Sequence, residues 1–124
     1  MLAQHVMTKE VVTTTKDAVI QDCIELLFKR HIGSIIVIDD AQRCVGIFTE
    51  RDAIRVVAQK VPLDATIEKV MTKNVVTVNE NATFEEAKKI LSLHGIRHLP
   101  VTDSEGKLVG LISVRKILNE LIGM

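Results

Sequence analysis

Aromatic residues are scarce in this sequence, which has no tryptophan, no tyrosine and only three phenylalanines. Proteins that bind single-stranded nucleic acid commonly stack bases on aromatic side chains, so this scarcity disfavours such a platform. An excess of one charge is also missing, because 16 lysines and arginines balance 16 aspartates and glutamates. The sequence therefore offers no general basic field that would attract nucleic acid or an anionic membrane.

Long apolar runs and catalytic signatures are absent as well. No apolar stretch approaches the roughly 18 residues of a membrane span, and the start, MLAQHVM, lacks the features of a signal peptide, so we expect a cytoplasmic protein. Cys23 and Cys44 lack metal-ligand or redox-motif spacing and are expected to be reduced core residues. The histidines show no paired metal-ligand spacing, and no GxSxG, P-loop or GxGxxG motif occurs. We expect neither an enzyme nor a metal or catalytic cofactor.

The chain contains one unit written twice. Shifting the sequence by 64 residues aligns Val6-Met7-Thr8-Lys9 with Val70-Met71-Thr72-Lys73 and keeps the register without a gap. Such self-similarity is typical of a repeated structural unit. The predicted organisation is repeat one at 1–60, a link at 61–65 that contains Pro62, and repeat two at 66–124.

Each repeat predicts a strand, a helix, two strands joined by a turn, and a closing helix. This order indicates an α+β fold of two tandem β-α-β-β-α repeats. A repeat of this size buries only a modest core, so the two are expected to pack about a pseudo-twofold axis, with equivalent ligand clefts. The predicted strands are 11–14, 35–38, 44–48, 75–78, 99–102 and 108–112, and the predicted closing helices are 50–59 and 114–121.

Three duplicated segments resemble the CBS-domain pair, or Bateman module. They are VMTKEVVTTT and VMTKNVVTVN, then IGSIIVIDD and IRHLPVTDSEG, and finally GIFTERD and GLISVRK. The likeness covers nearly the whole chain. It implies a stand-alone, non-catalytic regulatory module that binds AMP, ADP, ATP or S-adenosylmethionine in clefts between the repeats. It also implies a homodimer formed through helix faces, for which Ile54, Val57, Ile117 and Leu121 are candidates unless they belong to the internal core.

The resemblance also implies nucleotide-binding residues. In the family's junction motif a hydroxyl contacts phosphate and a carboxylate contacts ribose, which places Thr49 and Asp52 in the first repeat and Ser113 in the second. The family's phosphate-facing residues correspond to Arg97 and His98, contributed to the Asp52 cleft by the opposite repeat. Val75 would flank the adenine.

Elementary chemistry agrees with the role of Asp52, because an ionised carboxylate can accept hydrogen bonds from both hydroxyls of a ribose. Thr49-x-x-Asp52 is also a helix-capping pattern, so a purely structural role stays open. Lys116 replaces the second aspartate and has no acceptor, which predicts two unequal clefts with one nucleoside site around Asp52. Lys116 is equally interpretable as a solvated helix residue.

Two other functions are compatible with the sequence. One is a ligand-independent oligomerisation or docking scaffold, which would bind no nucleotide at micromolar concentration. The other is a sensor of S-adenosylmethionine, whose sulfonium tail would need apolar or acidic surroundings. A regulated partner protein is expected in the favoured interpretation, and the sequence does not identify it.

Overall fold

The computed structural model describes residues 1–123, and Met124, where the predicted second repeat ends, lies outside the described residues. The chain divides into two compact units: a central unit, Val12–Val75, and a split unit, which joins residues 1–11 to residues 76–123. Each contains a three-stranded sheet and helices, so the predicted α+β class is confirmed. In chain order the elements are α1 (Ala3–Val6), β1 (Thr13–Thr14), α2 (Ile20–Arg30), β2 (Ser34–Ile38), β3 (Cys44–Thr49), α3 (Glu50–Ala58), a 3₁₀ turn (Ile67–Lys69), β4 (Val78–Asn79), α4 (Phe84–His94), β5 (His98–Thr102), β6 (Leu108–Ser113) and α5 (Val114–Leu121).

The sheet of the central unit has the order β1-β2-β3, with β1 parallel to β2 and β2 antiparallel to β3. The hairpin register places Ser34 opposite Thr49, so the end of β3 lies beside the start of β2. Strand β1 is shorter than the predicted run at 11–14, because only Thr13 and Thr14 join the ladder.

The core of the central unit lies between its sheet and helices α2 and α3. An amphipathic stripe on α2 packs with the inner face of the sheet, as expected for apolar residues at helical spacing. The predicted link at 61–65 also belongs to this core, since Val61, Leu63 and Ala65 pack against it. The buried residues of the cluster are Ile20, Cys23, Leu27, Ile35, Val37, Phe48, Val56, Ile67 and Val70.

The split unit repeats the same sheet, with the order β4-β5-β6 and matching directions. Helix α1, which the sequence did not predict, joins this unit: the fully buried Ala3 donates its N–H to the Ala82 carbonyl at 2.8 Å. The backbones of Thr8 and Leu111 exchange hydrogen bonds of 2.8 and 2.9 Å. The first residues of the chain therefore complete the core built by residues 76–123.

A methionine of each VMTK motif packs against a glycine of a hairpin strand. A Cβ atom added to Gly46 would lie 2.9 Å from Met71 Cγ, and one added to Gly110 would lie 2.7 Å from Met7 Cγ. Both distances are too short for real carbon atoms, so the strand approaches the methionine closely only because glycine is present. Each VMTK motif is thus packed against one hairpin strand.

The compact units and the sequence repeats have different limits. Residues 66–75 open the second repeat but lie in the central unit, and residues 1–11 open the first repeat but lie in the split unit. Each unit thus combines the hairpin of one repeat with the VMTK segment of the other. The predicted boundaries 1–60, 61–65 and 66–124 stay a prediction about the repeats.

Candidate functional site

Thr49 and Asp52 form a reciprocal capping box at the start of α3. The Thr49 N–H donates to Asp52 Oδ2 at 2.9 Å, and the Thr49 hydroxyl donates to the same oxygen at 3.1 Å. In return, the Asp52 N–H donates to Thr49 Oγ1 at 3.3 Å. Thr49 and Asp52 therefore do cap the helix, which is the structural role that the sequence left open. The Thr49 hydroxyl donates its hydrogen to the Asp52 carboxylate.

Oδ1, the second carboxylate oxygen of Asp52, is more available than Oδ2 to accept a hydrogen bond from a ligand. Its contact is Nη2 of Arg55 at 3.5 Å, which is at the limit of a hydrogen bond, whereas the same Nη2 binds the Val70 carbonyl at 2.8 Å. The side chain of Asp52 is 14% exposed. Since a carboxylate offers about four acceptor positions, the capping box leaves Oδ1 able to accept from a ligand.

Ser34 lies beside this cap and was missed by the sequence analysis. It faces Thr49 across the hairpin, and directly opposed residues of an antiparallel pair project from the same face. Ser34 is 5% exposed, and its hydroxyl has no hydrogen-bond partner among the described residues. A buried hydroxyl without a partner costs about 1–3 kcal/mol, which marks the position as a candidate contact for a ligand. The shift of 64 residues aligns Ser34 with His98, which the family resemblance assigns to the site, and this alignment could have identified Ser34 in the sequence.

The split unit brings together three of the predicted site residues. His98 faces Ser113 across the β5–β6 hairpin, and the Val114 N–H donates to the Arg97 carbonyl at 3.0 Å. Ser113 caps α5 by accepting the Lys116 N–H at 3.2 Å. Because lysine has no acceptor, the reciprocal half of the capping box that Asp52 supplies in α3 cannot form here.

Val75 lies at the end of the central unit and is half-buried. It borders a cleft of about 820 Å³ at the turn end of the β2–β3 hairpin, together with Lys16 and Asp40. Thr49, at the other end of that hairpin, does not line this cleft. The adenine-flanking role of Val75 stays a prediction.

Both cysteines are free thiols, and Cys23 belongs to the core as predicted, whereas Cys44 lies outside the core cluster and borders the cleft beside Val75. Cys23 is buried and Cys44 is half-buried, and burial raises the pKa of the Cys44 thiol to about 11. At neutral pH this thiol is protonated and is therefore a poor nucleophile or metal ligand.

Within residues 1–123, no three His, Cys, Asp or Glu side chains gather as a metal site would require, and no helix has the length and apolarity to cross a membrane.

Comparison with known proteins identifies the family. The model of the CBS domain matches residues 3–59 and again residues 67–123. The chain therefore belongs to the CBS domain family and carries two tandem copies, which confirms the resemblance given by the sequence motifs. CBS domains are regulatory modules.

Curated relatives include both short and long proteins. An uncharacterised 17.7 kDa protein of Acidianus ambivalens is 34% identical over 118 residues, which cover 95% of this chain and 71% of that protein. The inosine-5′-monophosphate dehydrogenase of Nitrosopumilus maritimus is 36% identical over 114 residues, which cover 92% of this chain but 23% of the enzyme. The likeness thus concerns a CBS pair that also occurs inside a much longer enzyme.

Two similar solved structures contain adenosine derivatives. The CBS domain pair of protein MJ0100, in complex with 5′-methylthioadenosine and S-adenosyl-L-methionine, has a TM-score of 0.89 and 27% identity, covering 99% of this chain and 97% of that one. A CBS domain protein from Pyrobaculum aerophilum, complexed with AMP, has a TM-score of 0.88 and 26% identity over the full length of both chains. One of these two proteins was thus solved with a phosphorylated adenosine compound and the other with unphosphorylated ones.

Proposed function

We propose that this chain is a non-catalytic regulatory module that binds an adenosine-containing ligand, with AMP, ADP and ATP as the first candidates. The observation that carries the proposal is the Asp52 carboxylate, which α3 holds in place while Oδ1 keeps acceptor capacity. A ribose presents two neighbouring hydroxyl donors, and hydrogen bonds to a charged acceptor contribute about 1.5–3 kcal/mol each. The AMP and 5′-methylthioadenosine complexes of similar proteins support this class of ligand.

The other site residues are assigned as the family resemblance suggests. Thr49 and Ser113 offer hydroxyl groups at the starts of α3 and α5, where the helix dipole favours an anion. Arg97 and His98 are assigned to phosphate, and Val75 to the adenine. For Thr49 this role requires its hydroxyl to turn away from Asp52, to which it donates in the structure.

Calorimetry tests the proposal directly. AMP, ADP, ATP and S-adenosylmethionine are titrated into the wild type and into Asp52→Ala, with circular dichroism confirming that the variant is folded. We expect one of the four to bind, and its affinity to fall at least about tenfold in the variant, because a charged hydrogen-bond acceptor is lost. Binding that survives in full would exclude Asp52 as the ribose ligand. Binding of S-adenosylmethionine alone would make the module a sensor of that compound.

The proposal has two further parts: a homodimer of this chain, and signalling to a regulated partner protein. Exposed apolar residues occupy equivalent positions on α3 and α5: Ile54 is 71% and Val57 60% exposed, and Leu118 is 52% and Leu121 76% exposed. Ile117, also considered for this surface, packs against the core instead. Exposed apolar patches commonly mark interaction surfaces, and their repetition in both units suits a second copy of the chain.

The same patches favour the second candidate function, a docking scaffold that binds no nucleotide. Analytical ultracentrifugation of the double variant Val57→Asp, Leu121→Asp is expected to show a monomer where the wild type is a dimer. The control is Lys89→Glu, which changes the charge of an exposed position on α4. A dimer together with no heat for any of the four ligands would favour the scaffold. A wild type that is itself monomeric would contradict the homodimer.

A further inference from the structure

Arg55 connects the proposed ribose contact to a segment of the second repeat. It lies one turn after Asp52 on α3, and its Nη2 group donates to the Val70 carbonyl at 2.8 Å while lying 3.5 Å from Asp52 Oδ1. Val70 directly follows the 3₁₀ turn, and basic side chains commonly bind the last carbonyls of a helical segment. One guanidinium therefore contacts both the proposed binding carboxylate and the backbone of residues 70–75.

Residues 70–75 are attached to the first hairpin at further points. Met71 packs against Gly46, and the backbones of Ile47 and Thr72 exchange hydrogen bonds of 3.0 and 2.9 Å. By sequence this segment opens the second repeat, yet it lies in the central unit. Its place there depends on such contacts, so a change in the guanidinium contact would alter how firmly the segment is held.

The aspartate and the arginine occur together in the first repeat and are both replaced in the second. At the spacing of 64, Lys116 occupies the position of Asp52, and the exposed Asn119 occupies the position of Arg55. Asparagine carries no charge, so it cannot form the same ion pair. The link thus accompanies the repeat that carries the proposed ligand site.

A ribose would change the balance between the two contacts of Arg55. Its hydroxyl groups would donate to Oδ1 of Asp52, and that oxygen would then offer less acceptor capacity to the guanidinium. The Val70 carbonyl follows the 3₁₀ turn, whose backbone hydrogen bonds fix its position, so it stays available as the closer partner. Occupancy of Asp52 would therefore strengthen the hydrogen bond between Arg55 and Val70.

We propose that Arg55 is a positioning residue that couples a ligand at Asp52 to residues 70–75. A bound ribose directs the guanidinium to the Val70 carbonyl and holds the segment more firmly in the central unit. This inference rests on the proposed function, and it lets the module report its ligand through a segment that leads into the second repeat. Because coupling is reciprocal, loosening the segment would in turn weaken the binding of the ligand.

Hydrogen exchange measured by NMR tests this coupling. The reporter is the Thr72 N–H, which donates to the Ile47 carbonyl at 2.9 Å, and the reference is the Ile36 N–H, which donates to the Val12 carbonyl at 3.1 Å. Exchange is compared with and without saturating AMP, or with whichever of ADP, ATP and S-adenosylmethionine binds if AMP does not. A local opening that keeps the ligand bound is slowed only if the ligand and the opening are coupled.

In the wild type, the ligand is expected to slow exchange of the Thr72 N–H at least about fivefold, as for typical coupling between sites. Arg55→Met keeps the apolar stem but removes the donors, so the ligand should slow this exchange by less than about twofold, because the coupling is lost. Protection of the Ile36 N–H shows that the variant is folded, and Arg55→Gln, which is also uncharged, should give the same result.

Two further substitutions serve as controls. Arg51→Met removes an exposed arginine from the same helix and should leave the effect of the ligand on Thr72 unchanged. Arg55→Lys keeps a charged donor and should retain part of the effect. Loss of the effect in Arg51→Met would show that general charge, and not the contact with Val70, carries the coupling.

The outcomes separate this inference from the proposed function. If none of the four compounds binds the wild type at millimolar concentration, the proposed function fails and the inference fails with it. If a compound binds but slows exchange of the Thr72 N–H equally in the wild type and in Arg55→Met, the proposed function stands and the inference is overturned. The same conclusion follows if the bound compound does not slow this exchange in the wild type.

Discussion

At the scale of single residues, Asp52 combines a structural and a proposed binding role in one side chain. Oδ2 accepts both hydrogen bonds from Thr49, whereas among residues 1–123 the contact of Oδ1 is the long one with Arg55. The capping box thus fixes the carboxylate without using all its acceptor capacity. Such fixation reduces the conformational entropy that the side chain would lose on binding a ligand.

The two glycines that receive methionines give a residue-scale prediction. At Gly46 the three nearest atoms to an added Cβ all belong to the flexible side chain of Met71, whereas at Gly110 they include the Thr8 backbone oxygen at 3.0 Å. Gly110→Ala is therefore expected to lower the free energy of unfolding by about 1–3 kcal/mol, and Gly46→Ala by less, because Met71 can rotate away.

Urea denaturation of each single variant and of double variants with the methionine changed to alanine checks this difference. Removing Met71 should recover most of the loss at Gly46, whereas removing Met7 should recover a smaller share of the loss at Gly110, since the contact with the Thr8 oxygen remains. Equal recovery at both glycines would contradict the explanation.

At the scale of elements, some helices and strands could be predicted from the sequence and others could not. The hairpins and the closing helix at 114–121 are confirmed, because apolar periodicity and turn residues determine them locally. Helix α1 and the 3₁₀ turn were not predicted, since they span only four and three residues, too few to show a periodic pattern, and depend on packing within their units. Ser34 was not predicted as a site residue for a similar reason, because its burial depends on the register of the hairpin.

A substitution at the start of α5 tests the capping argument. Lys116 occupies the position at which α3 has Asp52, and a cation in the first turn opposes the helix dipole. Lys116→Glu is expected to raise the free energy of unfolding by about 0.5–1 kcal/mol by completing the capping box. Lys116→Gln should give a smaller gain, and urea denaturation followed by circular dichroism measures both. A loss of stability in both variants would show that Lys116 makes a favourable interaction that the cap cannot replace.

At the scale of the whole molecule, the exchange of VMTK segments predicts which fragment can fold. The central unit includes Ile67, which is fully buried and donates its N–H to the Ala18 carbonyl at 2.7 Å, and the paired backbones of Ile47 and Thr72. A fragment of residues 12–75 is therefore expected to unfold cooperatively in urea. A fragment of residues 1–60 should not, because it lacks Ile67 and the segment that packs on Gly46.

Circular dichroism and one-dimensional proton NMR of the two fragments, with the full chain as reference, provide the measurement. A cooperative transition of residues 1–60 at the same urea midpoint as residues 12–75 would contradict the exchange as a requirement for folding. The two fragments are similar in length. Domains of this length are only marginally stable and lose stability when part of the core is removed.

The sequence by itself determined the repeat, the hairpins, the principal helices and the CBS family, because periodicity, turn chemistry and duplicated motifs are local or are simply counted along the chain. It also singled out Asp52 and Lys116 as a pair of opposite charge at equivalent positions. Only the tertiary structure decided which segment completes which core, and that the buried Ser34 hydroxyl has no hydrogen-bond partner among residues 1–123. These features depend on contacts between residues distant along the chain, which no local pattern specifies.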